Sequence, residues 1–156
     1  MKPTLEQPDS KAAAQENTEF EIVDLGPFDN NRNDVLALND AGQCVGVCVN
    51  PQSGRVEAFL QSQGTREMLG TLGGSFSIAR GINNRGEIVG GSLTPGDEDF
   101  HGFIYRDRRI LDLNQLLAAE PGWELIQALA INNRGDIVGI GCHQGQDRIV
   151  LLRPKI

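Results

Sequence analysis

From Phe20 onward, apolar residues come in short runs of Val, Ile, Leu and Phe. Clusters of Asn, Asp, Gly, Pro and Ser interrupt them about every 8 to 12 residues, a spacing that predicts an all-β meander. Three of these runs end in the same way. Leu38-Asn39 is followed by Gly42 and then Val45-Gly46, Ile82-Asn83 by Gly86 and then Val89-Gly90, and Ile131-Asn132 by Gly135 and then Val138-Gly139. The marker asparagines lie 83−39=44 and 132−83=49 residues apart. At such a period each unit is one supersecondary block that needs a neighbour to bury its apolar face.

Within the first unit the alternation predicts strands at residues 34–38, 43–49, 55–61 and 66–72. The second unit repeats them at 77–82, 87–92, 101–106 and 109–113, and the third supplies three, at 127–131, 136–141 and 148–153. Residues 21–28 align with the fourth strands, because Leu25 precedes Asn39 by 39−25=14 residues, as Leu69 precedes Asn83 by 83−69=14. The expected fold class is therefore all-β, with three four-stranded antiparallel repeat units and the N-terminal strand completing the last one. That closure removes an open sheet edge.

Each Asn-x-x-Gly reads as a type I turn followed by a left-handed residue, with Gly42, Gly86 and Gly135 taking positive φ and the asparagine capping the turn. The second strand of the first unit is apolar or small on both faces, which places it inside the stack. Gly46, Gly90 and Gly139 are expected to let a neighbouring sheet approach closely. Residues 113–125 allow one short helical turn, capped by Asn114, anchored by Leu116 and Leu117 and stopped by Pro121-Gly122. Residues 1–18, with scattered charge and no sustained period, read as a disordered acidic leader, and residues 19–156 as a single three-repeat β domain.

Length and composition agree with one core: 156 residues at 39% hydrophobic content suffice for a domain that buries about two thirds of its unfolded surface. The net charge of −7 is uneven, with six acids (Glu6, Asp9, Glu16, Glu19, Glu21, Asp24) against Lys2 and Lys11 near the N-terminus. No basic field exists to attract nucleic acid, and no window approaches the roughly 18 apolar residues of a membrane span. Lys2 is followed by no apolar run, so no secretion signal is read; by sequence this is cytoplasmic, and the compartment itself is left unassigned. The three cysteines are not spaced for zinc. Cys44 and Cys48 on one strand stand about 13 Å apart, too far for a disulfide, and are expected to be free thiols.

Candidate chemistry is sparse. Asp97-Glu98-Asp99 forms an acidic loop tip, and Asp29, Asn31 and Asn33 place oxygens at alternate positions as calcium loops do. Arg32 among them and the lack of a closing Glu argue against such a loop. A solvated tip is the expected reading for both, so no metal and no cofactor is assigned. His101 is the better placed of two histidines for general-base work, although a structural imidazole accounts for it equally. No Gly-x-Ser-x-Gly elbow and no phosphate-cradling Gly-Lys-Ser/Thr occurs. Trp123 either packs across a sheet end, the favoured reading, or lines a groove.

Asp112-Leu113-Asn114, Gly122-Trp123, Ala130-Ile131-Asn132 with Gly135, and Ile137-Val138-Gly139 form a pattern that resembles the HAF-repeat family of bacterial proteins. The His-Ala-Phe that names the family stands here as His101-Gly102-Phe103 and, eroded, as Glu57-Ala58-Phe59. Leu69-Gly70-Thr71-Leu72-Gly73-Gly74 and the ending Ile149 to Pro154 match further motifs, so that the resemblance spans residues 20–154. It implies a β-propeller-like set of four-stranded sheets, in proteins that are often exported and have no established activity. Three units are few for a propeller. The expectation is either a homodimer of two half-rings or a single chain closed as a three-fold β-prism or β-trefoil.

The function expected from these features is a non-catalytic module for binding a protein or surface polymer. Its recognition face would be the loops at residues 50–54, 93–100 and 143–147. The alternatives are a lectin-like module, with Trp123, Tyr105 or Phe100 stacking on a sugar, and a hydrolase using His101 with an acid from Asp97 to Asp99.

Overall fold

The strands form where the alternation predicts them, within a residue or two in the first two units. They are β1 (Asp34–Leu38), β2 (Cys44–Val49), β3 (Val56–Ser62), β4 (Thr65–Gly70), β5 (Ser77–Ile82), β6 (Ile88–Leu93), β7 (Phe100–Arg106), β8 (Arg109–Asp112), β9 (Trp123–Ile131), β10 (Ile137–His143) and β11 (Gln146–Leu152). The structure is a computed structural model and describes residues 18–29, 33–117 and 120–155. The strands make three antiparallel sheets, ordered β1-β2-β3-β4, β5-β6-β7-β8 and β11-β10-β9. β2, β6 and β10 each lie between two strands of their sheet. The expected leader, Thr18 apart, lies outside the described residues.

Each Asn-x-x-Gly turn forms as its residues dictate. Gly42, Gly86 and Gly135 take φ of 76°, 77° and 86°, the left-handed region where a glycine is unstrained. Each donates its N–H to the marker asparagine's carbonyl at 3.0–3.1 Å. The asparagine side chain then caps the turn. Asn83 Oδ1 accepts from the N–H of Arg85 at 3.1 Å and of Glu87 at 3.0 Å.

Gly46, Gly90 and Gly139 answer to a different cause from the one their sequence suggests. A Cβ on each would collide with a carbonyl of the adjacent strand of its own sheet, that of Asp34, Ile78 or Gln127. The register slips just there, between Val35 and Ala37, Ala79 and Gly81, and Val138 and Gly139. A bulged first strand leans into the second, and only glycine leaves room for it. Close sheet-to-sheet approach occurs instead at Gly102, where a Cβ would lie 2.9 Å from Leu125 Cδ2 and 3.2 Å from the Ala128 nitrogen.

The core has two parts, one in each space between sheets. Val45, Ala58 and Leu69 of the first sheet meet Ala79, Ile82, Ile88, Phe103 and Tyr105 of the second. Val89 and Ile104, on the other face of the second sheet, meet Leu125, Ala128 and Ile137 of the third, with Leu113 beside them. Full burial of side chains such as Phe103 or Ile88 stabilises by about 1.5–3 kcal/mol each. Buried serines join the first two units. Ser77 Oγ accepts from the Ala58 N–H at 2.8 Å and donates to the Gly70 carbonyl at 2.6 Å, and Ser92 Oγ accepts from the Leu72 N–H at 2.8 Å.

The third sheet has three strands, and residues 21–28 do not complete it. Strand alignment in the sequence placed this segment by its pattern alone, whereas its contacts are made at the opposite end of the stack. The Leu25 carbonyl accepts from Gln61 Nε2 at 2.5 Å and the Pro27 carbonyl from Arg66 at 3.1 Å. The Phe28 ring lies 6.3 Å from that of Phe59. These contacts lie on the outer face of the first sheet, at Phe59, Gln61 and Arg66. The sheets therefore do not close on one another. The short turn is a 3-10 helix at Leu113–Leu116, capped by Asp112 in place of Asn114, and β9 begins at Trp123.

Candidate functional site

His101 lies on β7, and its ring is held at both nitrogens by carboxylates. Asp112, at the end of the partner strand β8, places Oδ2 2.7 Å from Nδ1, and Glu124, near the start of β9, places Oε1 3.0 Å from Nε2. Asp112 Oδ1 meanwhile accepts from the Asn114 N–H at 2.9 Å, which fixes the carboxylate as the cap of the 3-10 turn. Asp99, in the loop before β7, completes the cluster. One ligand-capable atom each from Asp99, His101 and Glu124 lies within 4.8 Å of the others. Partial burial alone would lower the histidine pKa. The hydrogen bond and charge of Asp112, then those of Glu124, outweigh it and hold the pKa above the ordinary value of 6.5. A bridge thus runs from the second sheet to the third through His101 and Glu124.

The remaining sequence candidates are dispersed. Asp97 turns away to Ser75, accepting from its N–H at 2.7 Å and its hydroxyl at 2.6 Å. That hydroxyl holds the Asp97 carboxyl below its ordinary range. In the other calcium candidate Asn31 lies outside the described residues, and Asn33 Oδ1 accepts from the Val49 N–H at 3.0 Å; Asp29 is in the described segment before it. Phe100 packs on Phe76 at 6.2 Å, and Trp123 stacks on His143 at 4.4 Å with 19° between the planes. Tyr105 belongs to the core between the first two sheets, its hydroxyl donating to Glu67 at 3.0 Å. Each of the three aromatics thus has a different partner. The cysteines are free thiols, Cys48 buried and the other two partly so.

Two features were not read from the sequence. Asp112 and Glu124 come to His101 only through the β7–β8 hairpin and the packing of β9, contacts 11 and 23 residues distant. The acid at Asp112 was visible, but its orientation toward β7 depends on register. The second feature is an open apolar face. Val45, Val47, Ala58 and Leu60 of the first sheet correspond by register to Val89, Gly91, Gly102 and Ile104 of the second and to Val138, Ile140, Ile149 and Leu151 of the third. In the first two sheets these positions face the next sheet and are buried or nearly so. In the third, Ile149 is 82% and Leu151 53% exposed.

Compared with family models, curated proteins and solved structures, the chain matches none of them. Its function is therefore argued from its own geometry.

Proposed function

We propose that this chain is a non-catalytic β-repeat module, arranged like successive blades of a propeller, that works by binding protein through the open face of its third sheet. The observation that carries this reading is the register equivalence above. The positions that bury each sheet against the next are more apolar in the third sheet, Val138, Ile140, Ile149 and Leu151, than in the second, where two are glycine. Burying such side chains is worth about 1.5–3 kcal/mol each, so the face favours a partner. The resemblance to HAF repeats supports the same arrangement.

The partner is a second copy. A ring of two half-rings would stack each third sheet on the other chain's first sheet, but residues 25–28 already occupy part of that face. Face-to-face pairing of two third sheets needs no such displacement. Asp147, near the start of β11, and Arg153, just past its end, are both exposed and bracket the apolar stretch. A two-fold axis then sets the acid of each copy against the base of the other.

The surroundings of His101 support a non-catalytic reading. Its ring contacts are carboxylates at both nitrogens, and no hydroxyl or thiol is aligned with it among the contacts above. The scattered aromatics weigh against a sugar platform. Replacing Leu151 by Arg tests the proposal. Association should weaken at least tenfold, while the far-UV circular dichroism stays as in the parent; unchanged association would overturn it.

A further inference from the structure

We propose that Asp99, His101 and Glu124 bind one divalent first-row transition cation, with Asp112 as the residue that positions the imidazole. The ion would fasten the second sheet to the third.

The argument starts at Nδ1. A carboxylate 2.7 Å away accepts only, so Nδ1 carries the proton and donates to Asp112. In the neutral ring Nε2 then presents its lone pair. That lone pair faces Glu124 Oε1 at 3.0 Å, and an oxygen of Asp99 belongs to the same set, whose ligand atoms lie within 4.8 Å of one another. Lone pair against carboxylate is repulsive, and the arrangement is stable only with positive charge between them. A proton on Nε2 satisfies Glu124, but it is one charge facing two carboxylates. A dication bonded at once to Nε2 and both carboxylates balances the set.

The dimensions suit such an ion. Bonds of about 2.0–2.2 Å to nitrogen and oxygen leave neighbouring ligand atoms roughly 3–4 Å apart. The observed atoms lie 3.0 Å apart for the His101–Glu124 pair and within 4.8 Å for the whole set, so small rotations of the exposed Asp99 and Glu124 side chains close the shell. The mixed donor set selects the metal. Calcium and magnesium prefer oxygen alone, whereas an imidazole beside two carboxylates suits zinc or manganese. Asp112 occupies the outer position usual for the partner of a metal-bound histidine, fixing the tautomer and the ring plane. Because Asp99 and His101 belong to the second unit and Glu124 to β9, the ion joins two repeats. Three protein ligands leave one or more positions for water or for an oxygen of a bound partner.

Isothermal titration of the tag-free full chain with zinc chloride at pH 7.5, beside a thermal melt, tests this. One ion per chain should bind at micromolar concentration or below and raise the melting temperature. Glu124→Gln, at a half-exposed position, should weaken binding at least tenfold, and Asp112→Asn, which keeps the turn cap, by about 10–100-fold. Cys142→Ser and His143→Ala, which remove the nearest alternative zinc ligands in the sequence, should leave it unchanged. No binding at millimolar zinc, binding retained in Glu124→Gln, loss in His143→Ala, or calcium binding as tight as zinc would each overturn the proposal.

Discussion

Replacing Asn83 by Ala isolates the interaction that ties one repeat to the next. Its side chain is 3% exposed and makes four hydrogen bonds. Two accept from the N–H groups of Arg85 and Glu87, one donates to Glu87 Oε1 at 2.8 Å, and one crosses to the Asn132 carbonyl of the next unit at 3.0 Å. Asn39 repeats the arrangement, its amide reaching the Asn83 carbonyl at 3.1 Å. Asn132, the third in the series, is exposed, and among the described residues its side chain bonds within its own turn, to Asp136 Oδ2 and to the N–H groups of Arg134 and Asp136. Each buried bond contributes about 0.5–1.5 kcal/mol net. Asn83→Ala and Asn39→Ala should therefore each cost about 3 kcal/mol, and Asn132→Ala, whose partners water can serve, about 1 kcal/mol. Urea unfolding followed by circular dichroism measures all three. Equal losses at Asn39, Asn83 and Asn132 would refute the inter-unit role, since turn capping alone is common to them.

The glycines give a second test: Gly90→Ala, which drives a methyl group into the Ile78 carbonyl, should cost about 3 kcal/mol or more. Gly42→Ala, with open space around it but φ of 76°, should cost only about 1 kcal/mol in the same unfolding assay. Tyr105 is the one tyrosine of the chain, so its ionisation can be followed by absorbance near 295 nm. Burial and then the Glu67 carboxylate raise its pKa above 10.0. Stability from this group is thus fully present below pH 10 and is lost as pH rises through the folded value. Tyr105→Phe should remove that alkaline loss and cost about 1 kcal/mol at neutral pH; a tyrosinate midpoint at or below 10 in the folded protein would contradict the burial argument.

Local chemistry made the strands and turns legible. Asn39-x-x-Gly42 and its two copies specify the same turn wherever they occur, because the left-handed glycine and the capping amide need nothing from the rest of the chain. The all-β class followed from short apolar runs broken by turn residues, and an inner place for β2 from the apolar or small residues on both its faces. What was not legible depends on long-range contact. Residues 21–28 match the fourth strands in pattern, yet the pairing of Leu25 and Pro27 with Gln61 and Arg66 is a choice between surfaces that periodicity does not rank. Gly46, Gly90 and Gly139 were visible as a conserved spacing among the repeats, but the bulge that requires them appears only in the register. His101 stood out by its rarity; its partners Asp112 and Glu124 did not, since acids are common and only the hairpin and the third sheet bring these two to the ring.

The open face of the third sheet is tested most directly by sedimentation equilibrium of the unaltered chain across the micromolar range. Two-fold pairing through Val138, Ile140, Ile149 and Leu151 predicts a species of twice the 16.9 kDa chain mass, dissociating on dilution. A single species at 16.9 kDa throughout, up to hundreds of micromolar, would contradict it.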